Sequence, residues 1–394
     1  MYLCRLLLQA SVRPEAGRRT FMNLKLTRQG YMVQLDGLRA IAVTAVVLFH
    51  WTPEVKQTGF GGLGVQLFFV LSGYLITGIL LDARTKAEAL GVAKKQVVRS
   101  FYARRFLRIF PLYYLVVILA ALLGSVNIQR YLGWHLSYLS NIAIFREGHW
   151  IGEASHLWSL AVEEQFYLLW PFVILFTPRR HLFVTMGGFI LLAPAFKLAC
   201  LLLEVGGSRA GVLPISSLHY LGAGALLALC EKSRSFRGDA RRRDKFAAWI
   251  QAGGVAGLVI FGVLQLTPGL LKSMPVLGVC RDFAVISLFS SITFGAAQGF
   301  KGIAGRLLSS RPMRYVGQIS YGLYLFHNFV PYFTERLLQQ LGVGTVNRPL
   351  LLTVEALVLV GLSVASWHLF EKKLNRYKDS FPYVAVPAKA VGQP

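Results

Sequence analysis

The sequence has 394 residues, of which 55% are hydrophobic, 13% aromatic and only 15% charged. Soluble domains are typically about 45–50% apolar and about 25% charged, so this composition excludes an ordinary soluble domain and indicates a membrane protein. The formal net charge of +24 would suggest nucleic-acid binding in a soluble chain. In a membrane protein, the position of the charges along the chain decides what they mean.

Three regions are expected along the chain. Residues 1–32 form a predicted N-terminal extension without a structural role, because their short apolar run is followed by Arg13, Arg18 and Arg19, whereas a secretory signal has its basic residues first. A membrane domain is predicted over residues 33–371 and a cytoplasmic tail over 372–394. The four cysteines form no C-x-x-C pair, so neither a metal site nor a disulfide framework is expected.

Ten apolar stretches recur along the chain, each near the ~20 residues that cross a hydrocarbon core of ~30 Å. The predicted spans are 36–52, 60–81, 107–123, 155–176, 182–203, 211–230, 247–266, 276–297, 315–335 and 350–370. The expected fold class is therefore all-α, a polytopic membrane protein with about ten transmembrane helices.

The basic residues predict the orientation of these helices. With the N-terminus in the cytoplasm, the six segments on that side carry 32 Lys and Arg residues, and the five on the other side carry 8, counting Arg108 and Arg281 near the ends of their spans. Cytoplasmic loops carry such an excess. We therefore expect both termini in the cytoplasm. We also expect the chain to contact membrane lipids and no nucleic acid.

The first span combines two ionisable residues on one helix face. Arg39 and His50 are eleven residues apart, which returns to nearly the same face and separates them by about 16 Å along the axis. Asp36, one turn before Arg39, is placed to pair with it. Ionisable residues inside spans usually face a cavity or a partner. Arg39 as a membrane-surface anchor and His50 as an interfacial residue are the alternatives.

The second and third spans add a hydroxyl and a group of arginines. Ser72 is expected near mid-membrane, where the pair Ser72-Gly73 equally suits close helix packing. Arg105 and Arg108, with Arg104 beside them, are expected on one helix face at the cytoplasmic surface. Planar guanidinium groups bind phosphates bidentately, so the arginines predict either an anionic cytosolic ligand or contact with lipid headgroups.

The fourth span brings a carboxylate into the membrane. His156, Ser159 and Glu163 follow a spacing that puts them on one face, with Glu163 about 10 Å deeper than His156. A buried carboxylate needs a partner or a proton. Since Glu163 and Glu164 cannot share a face, one is expected to line a cavity and the other to pair with a neighbouring helix, a structural ion pair being the alternative for Glu163.

The ninth span repeats this pattern near the end of the chain. Ser320, Tyr324 and His327 are expected on one side of the helix, with His327 toward the outside. Packing in the aromatic belt of the membrane surface explains the tyrosine equally well.

The motifs together resemble the acyltransferase-3 family of integral membrane O-acyltransferases. They are L-D-G-L-R-A-I-A with the later His50, F-V-L-S-G-Y-L-I, R-R-F-L-R-I-F-P-L-Y, W-S-L-A-V-E-E-Q-F-Y and G-Q-I-S-Y-G-L-Y-L-F-H. The resemblance extends from about residue 33 to 371. Where the family usually closes on Glu followed by Arg-Pro, this sequence has Glu371-Lys372-Lys373, which leaves Glu371 a weak candidate.

The resemblance implies transfer of an acyl group, usually acetyl, from cytosolic acyl-CoA to a hydroxyl of an extracytoplasmic saccharide, such as an exopolysaccharide or O-antigen. It implies a bacterial inner membrane, acyl-CoA as a substrate and no bound cofactor. The family's motif residues correspond to Arg39, His50, Ser72, Arg105, Arg108 and Glu163. With Ser159, His156, Tyr324 and His327, these complete the candidate site.

The expected chemistry centres on an imidazole. His50 is predicted to act as general base, with Glu163 orienting or charging it, while acyl transfer through the His50 ring is the alternative. Arg105 and Arg108 would hold the CoA phosphates, and the pantetheine arm would pass between the helices toward His50. Arg39 is too far from His50 for direct catalysis and is assigned to cavity electrostatics or CoA contact.

Two other functions use the same residues. A transporter would use His50, Glu163 and Arg39 as a proton or solute pathway, but it has no need of an arginine pair matched to CoA. The same acyl transfer could also use a lipid, peptide or antibiotic as acceptor, because no acceptor-binding module is legible in the sequence.

Overall fold

The structure is a computed structural model that describes residues 32–58, 60–204, 207–233, 236, 238–274, 276–344 and 346–384. The predicted extension over residues 1–32 lies, apart from its last residue, outside the described part of the chain. Cys4 and the end of the predicted tail, residues 385–394, lie outside it as well.

The described residues form helices and turns, with no strand among them. The helices are α1 (Val33–Trp51), α2 (Leu63–Leu90), α3 (Lys94–Leu122), α4 (Leu157–Phe176), α5 (Leu182–Leu202), α6 (Leu218–Lys232), α7 (Ala240–Leu266), α8 (Leu277–Gln298), α9 (Arg311–Gln318), α10 (Ser320–Phe326), α11 (Phe329–Gln340) and α12 (Arg348–Ser366). Shorter helical segments connect them: Pro53–Gln57, Phe60–Gly62, Val126–Arg130, Leu132–Leu136, Ser140–Glu147, Arg179–His181, Gly207–Val212, Pro214–Ser217, Pro268–Ser273, Gly302–Leu308, a π-helical turn Trp367–Glu371, Lys372–Arg376 and Tyr377–Ser380.

Eight of the described helices are long and apolar enough to cross a membrane, namely α1 to α5, α7, α8 and α12. They coincide with eight of the ten predicted spans, which confirms an all-α protein with many potential membrane crossings. The most apolar stretches of α2 and α4 are each 56% buried, whereas those of α5 and α7 are 22% buried and that of α12 is 17% buried. The helices α2 and α4 are therefore central, and α5, α7 and α12 leave apolar faces for lipid.

Two predicted spans have a different form. Over 211–230 the chain makes short turns before α6, a helix of 15 residues, because Pro214 cannot continue a preceding helix. Over 315–335 the chain is divided into α9, α10 and α11, with breaks at Ile319 and after Phe326. Broken helices at membrane depth occur where they are buried in protein or line a cavity. The sequence predicted one continuous ninth helix here, and the three separate helices show that this prediction is wrong.

Glycine allows the central helices to pack closely. A Cβ atom at Gly73 of α2 would lie 2.0 Å from the carbonyl oxygen of Leu221 in α6, and one at Gly224 would lie 2.0 Å from that of Val70. Small residues in membrane helices permit such backbone contacts. Close helix packing, which was the alternative considered for the pair Ser72-Gly73, is therefore confirmed for Gly73.

Helix α1 is held by the same kind of contact. A Cβ at Gly317 of α9 would lie 2.0 Å from the carbonyl oxygen of Asp36, and one at Gly37 would lie 2.5 Å from that of Leu308. These contacts fix the start of α1, where Arg39 lies, while His50 lies in its last turn. We call the two ends of the bundle the arginine end and the histidine end after these two residues.

The segment between α3 and α4 forms a cap over the histidine end. The Tyr113 hydroxyl donates to the carbonyl of His135 at 2.9 Å, and the Asn141 amide pairs with Gln165 at 3.1 Å. Burial lowers the pKa of His135 to about 4, so this imidazole is neutral at physiological pH. The predicted polar gap over 124–154 is thus a folded part of the domain.

The glycine contacts predict a selective loss of stability. Gly73→Ala would place a methyl group against the backbone of α6, and overpacking typically costs about 1–3 kcal/mol, so the purified protein should unfold at a lower temperature. Gly78→Ala is the matched control, because its nearest neighbour is the flexible end of Lys232 at 3.9 Å. Equal thermal midpoints for the two variants would contradict the close contact.

Candidate active site

One cavity of about 90 Å³ lies among α1, α2, α3, α4 and α10. A single water occupies about 10–15 Å³ on such a measure, so the cavity has room for several waters or a small acyl group. The predicted site residues on its wall are Arg39, Ser72, Arg105, Arg108, Ser159, Glu163 and Tyr324. The structure therefore brings seven of the ten candidates together.

The arginine end of the cavity carries positive charge. Arg105 and Arg108 are three residues apart on one face of α3, and the Arg105 guanidinium lies 4.9 Å from the centre of the Tyr167 ring. Within the described chain, no carboxylate lies within the 4.0 Å ion-pair distance of either guanidinium. Arg39 pairs with Asp36 at 3.4 Å, as predicted. The arrangement suits an anion.

Arg104 has a different environment from the one expected. Its guanidinium donates to the carbonyls of Lys378 at 2.7 Å and Phe381 at 3.2 Å, and it lies 5.2 Å from the centre of the Tyr383 ring. Arg104 therefore holds the chain beyond α12 and does not line the cavity with Arg105 and Arg108.

Glu163 lies at the middle of the cavity wall and accepts hydrogen bonds from two hydroxyls. Ser72 and Tyr167 both donate to its Oε1 atom, and their hydroxyl oxygens are 3.0 Å apart. The carboxylate is thus satisfied by hydroxyl groups, and Ser72 has this carboxylate beside it and no imidazole. Glu164 makes no hydrogen bond or ion pair with another described residue, so the partner predicted for it on a neighbouring helix is not found.

The three histidines form a second group at the histidine end. The ring centres of His50 and His327 are 4.8 Å apart, and those of His327 and His156 are 4.6 Å apart. None of the three is on the cavity wall. The prediction that His50 and His156 lie at the same end is confirmed, but the structure separates the imidazoles from the arginines.

The hydrogen bonds fix the chemistry of each imidazole. The Nδ1 atom of His50 lies 2.9 Å from the carbonyl oxygen of Val46, which can only accept, so Nδ1 carries the proton and Nε2 keeps a lone pair. In His327, Nδ1 donates to Tyr324 and Nε2 is buried without a protein partner. Both nitrogens of His156 are near protein groups, and its side chain is buried.

A layer of side chains separates the two groups. Tyr324 contacts Ser159 through its hydroxyl at 2.5 Å, and its ring centre is 5.4 Å from that of His327. Phe68, on the same wall, packs edge-on against Tyr324 with ring centres 6.2 Å apart. The cavity ends at this layer, so the continuous passage expected from Arg105 to His50 is interrupted in the structure.

Glu163 and His50 are consequently not in contact. No described hydrogen bond or ion pair joins them, and the partners of Glu163 are Ser72 and Tyr167. The faces assigned from helical spacing are correct for Ser159 and Glu163, which both line the cavity, but not for His156, which precedes the first turn of α4.

Several residues of the wall were not among the candidates. Tyr167 follows Glu163 by four residues, so the helical spacing rule could have identified it. Tyr321 donates to the carbonyl of Ile109 at 2.8 Å, a contact between distant segments that no local pattern contains. Glu371, the weak candidate of the closing motif, is not on this wall; it is buried in the π-helical turn and accepts from Ser366 at 2.8 Å. Such turns are frequent at functional sites.

Comparison with known proteins matches residues 32–368 to the family described as an acyltransferase domain. The match confirms the resemblance carried by the motifs. The peptidoglycan O-acetyltransferase OatA of Listeria monocytogenes is 29% identical over 322 residues, which are 75% of this chain and 49% of that protein. The O-acetyltransferase OatA of Staphylococcus aureus is 27% identical over 327 residues, 77% of this chain and 51% of that protein. This chain thus spans about half the length of these relatives. No solved structure matches it.

Proposed function

Because the chain belongs to the acyltransferase-3 family, we propose that it moves an acetyl group from cytosolic acyl-CoA to a hydroxyl of a cell-wall saccharide across the bacterial inner membrane. The donor would bind at the arginine end, and the acceptor would enter at the histidine end. The observation that carries this assignment is the cavity wall on which Arg105 and Arg108 meet, with no carboxylate of the described residues within ion-pair distance of either.

The names of the relatives support the acetyl group and the acceptor. Both are named O-acetyltransferases, and one is named for peptidoglycan. Peptidoglycan is therefore the first acceptor to test. A lipid, a peptide or an antibiotic as acceptor would use the same donor chemistry.

The arginine pair supports acyl-CoA as the donor. Guanidinium groups three residues apart on one helix present parallel N–H donors, which suit phosphate oxygens. The cavity then continues from the arginines past Ser72 and Glu163 to Ser159. In this proposal the cavity takes the small acyl group at the reactive end of the thioester arm, with the phosphates held at the arginine end.

His50 supplies the chemistry in this proposal. Its Nε2 lone pair removes the proton from the acceptor hydroxyl, whose oxygen attacks the thioester carbonyl carbon. The carbon–sulfur bond then breaks, and the leaving thiolate takes the proton back from the imidazolium. In the alternative, Nε2 attacks the thioester carbonyl carbon and the thiolate leaves; the acceptor hydroxyl then takes the acyl group from the ring, and its proton goes to the thiolate.

The layer at Tyr324 must open for either route. A rotation of the Tyr324 side chain would release Ser159 and join the cavity to His327 and His50, since these rings follow one another. Glu163 would act on the donor side, keeping the hydroxyls of Ser72 and Tyr167 turned toward it, because it has no contact through which to orient His50.

We also propose that the chain crosses the membrane ten times with both termini in the cytoplasm, counting α6 and the α9–α11 unit as crossings. In cells carrying an otherwise cysteine-free protein, Lys56→Cys should react with a membrane-impermeant thiol reagent before permeabilisation. Lys301→Cys should react only after permeabilisation. Labelling of both positions in intact cells would contradict this orientation.

His50→Ala should abolish acyl transfer without unfolding the protein, because the variant removes the base and leaves the helix contacts of α1 in place. Radiolabelled acetyl on the acceptor measures the transfer in reconstituted vesicles, and mass spectrometry measures acetyl loss from the cell-wall glycans. His149→Ala, at an exposed imidazole of the cap, is the matched control and should remain active. Full transfer by His50→Ala would remove His50 from the chemistry, and solute transport without labelled product would favour a transporter.

Replacing Arg105 and Arg108 together by Gln should weaken acyl-CoA binding by at least about tenfold, since a hydrogen bond to a charged group contributes about 1.5–3 kcal/mol. Equilibrium binding of acyl-CoA to the purified protein measures the effect. Arg99→Gln is the control, because Arg99 is an exposed residue of the same helix away from the cavity wall. An unchanged dissociation constant for the double variant would refute the phosphate assignment.

A further inference from the structure

The chain beyond α12 folds back onto α3 beside the arginine end of the cavity. Arg104 donates to two backbone carbonyls of this return segment, at Lys378 and Phe381, and packs against Tyr383. Ser100, one turn earlier on α3, donates to the carbonyl of Pro382 at 2.8 Å. We call residues 377–384 the return segment. Its backbone is thus fixed at several points by the helix that carries the site arginines.

This anchoring brings another cation to the arginine end. The Lys378 side chain is half-buried, and its ammonium group is repelled by Arg108 most strongly, then by Arg105, Arg104 and Arg39. In the described part of the chain, Lys378 forms no ion pair with a carboxylate. The backbone bonds from Arg104 to Lys378 and Phe381 therefore place this half-buried lysine beside the part of α3 that carries the site arginines.

The acidic groups nearby do not neutralise this cluster. Glu371 interacts electrostatically with both Arg108 and Lys378, but its hydrogen bond goes to Ser366 and it lies beyond ion-pair distance of either cation. Glu163 also interacts electrostatically with Arg108, but no ion pair joins them among the described residues, and its Oε1 atom accepts from the hydroxyls of Ser72 and Tyr167. Like charges in a partly buried site repel strongly, so an anion bound there would relieve the repulsion.

The chemistry of the proposed donor calls for more than one phosphate-binding group. The nucleotide end of CoA carries a diphosphate and a separate phosphate on its ribose, whereas the guanidinium groups of Arg105 and Arg108 lie together on one helix face and suit one of these two groups. Lysine binds phosphate as a mobile point charge and needs no fixed fork. A lysine at the edge of the arginine pair is therefore suited to the second phosphate group.

We propose that Lys378 binds a phosphate of acyl-CoA together with Arg105 and Arg108, and that Arg104 is a positioning residue that holds the return segment in place for it. The inference rests on the proposed function and deepens its donor site. It also accounts for Arg104, whose Nη1 atom donates to two backbone carbonyls of the return segment and which does not line the cavity.

Lys378→Gln should weaken acyl-CoA binding to the purified full chain by about tenfold, as expected for the loss of one charged phosphate contact. The matched control is Lys373→Gln, an exposed lysine in the preceding helical turn, which should bind acyl-CoA like the unmodified chain. The acetyl thioester of pantetheine, which lacks phosphates, provides the second measurement. The unmodified chain and Lys378→Gln should transfer acetyl from this donor equally well.

Arg104→Gln should weaken acyl-CoA binding in the same direction, and the double variant with Lys378→Gln should be no weaker than the more severe single variant, because both changes act through one contact. Additive losses would show that Arg104 acts independently of Lys378 and would overturn its positioning role.

The outcomes separate this inference from the proposed function. If acyl-CoA binding depends on Arg105 and Arg108 but not on Lys378, the role of the return segment is refuted and the donor assignment stands. If Lys378→Gln impairs the phosphate-free donor equally, Lys378 supports the fold and does not bind phosphate. If the unmodified chain binds no acyl-CoA, both proposals fail.

Discussion

The structure depends on a group of cationic side chains at the arginine end, most of which have no carboxylate within ion-pair distance among the described residues. Arg105 and Arg108 come from α3, Arg39 from α1 and Lys378 from the return segment, yet within the described chain only Arg39 has a carboxylate within ion-pair distance. Repulsion among such groups grows as water is removed from them. The cluster persists because independent contacts hold its supports together, including the glycine contacts of α1 and the backbone bonds made by Arg104. A site assembled at this cost is organised for an anion.

The second constraint is the distance between this charge and the imidazoles. A donor held at the arginine end cannot meet an acceptor at the histidine end unless the donor's reactive group crosses the layer formed by Phe68 and Tyr324. In the closed arrangement the same layer keeps water at one end from reaching a thioester at the other. In the proposed reaction, separation of the two substrates and protection of the thioester would therefore depend on the same side chains, and acyl transfer would be limited by their movement.

The sequence predicts which residues belong to the site better than it predicts the contacts between those residues when they lie on different helices. Hydropathy located eight long helices, and helical spacing placed Asp36 beside Arg39 and put Ser159 and Glu163 on one face, because these relations lie within single helices. Spacing gives an angle around one axis and does not say what lies between two helices, so it could not show that Tyr324 separates His50 from the cavity. The return segment is about 270 residues from Arg104 and has no local signal.

Because the helix over residues 315–335 is broken, this one segment contributes side chains to both the cavity and the histidine end. In a continuous helix, Ser320, Tyr324 and His327 would share a side and face one environment, as the spacing suggested. In the structure, α10 ends at Phe326 and His327 follows it, so Ser320 and Tyr324 line the cavity while His327 packs against His50. A small movement of α10 would therefore alter the cavity wall and the surroundings of His50 together. The breaks at Ile319 and after Phe326 separate this short helix from α9 and α11, and in the proposed reaction its movement would connect donor entry to the state of the imidazole.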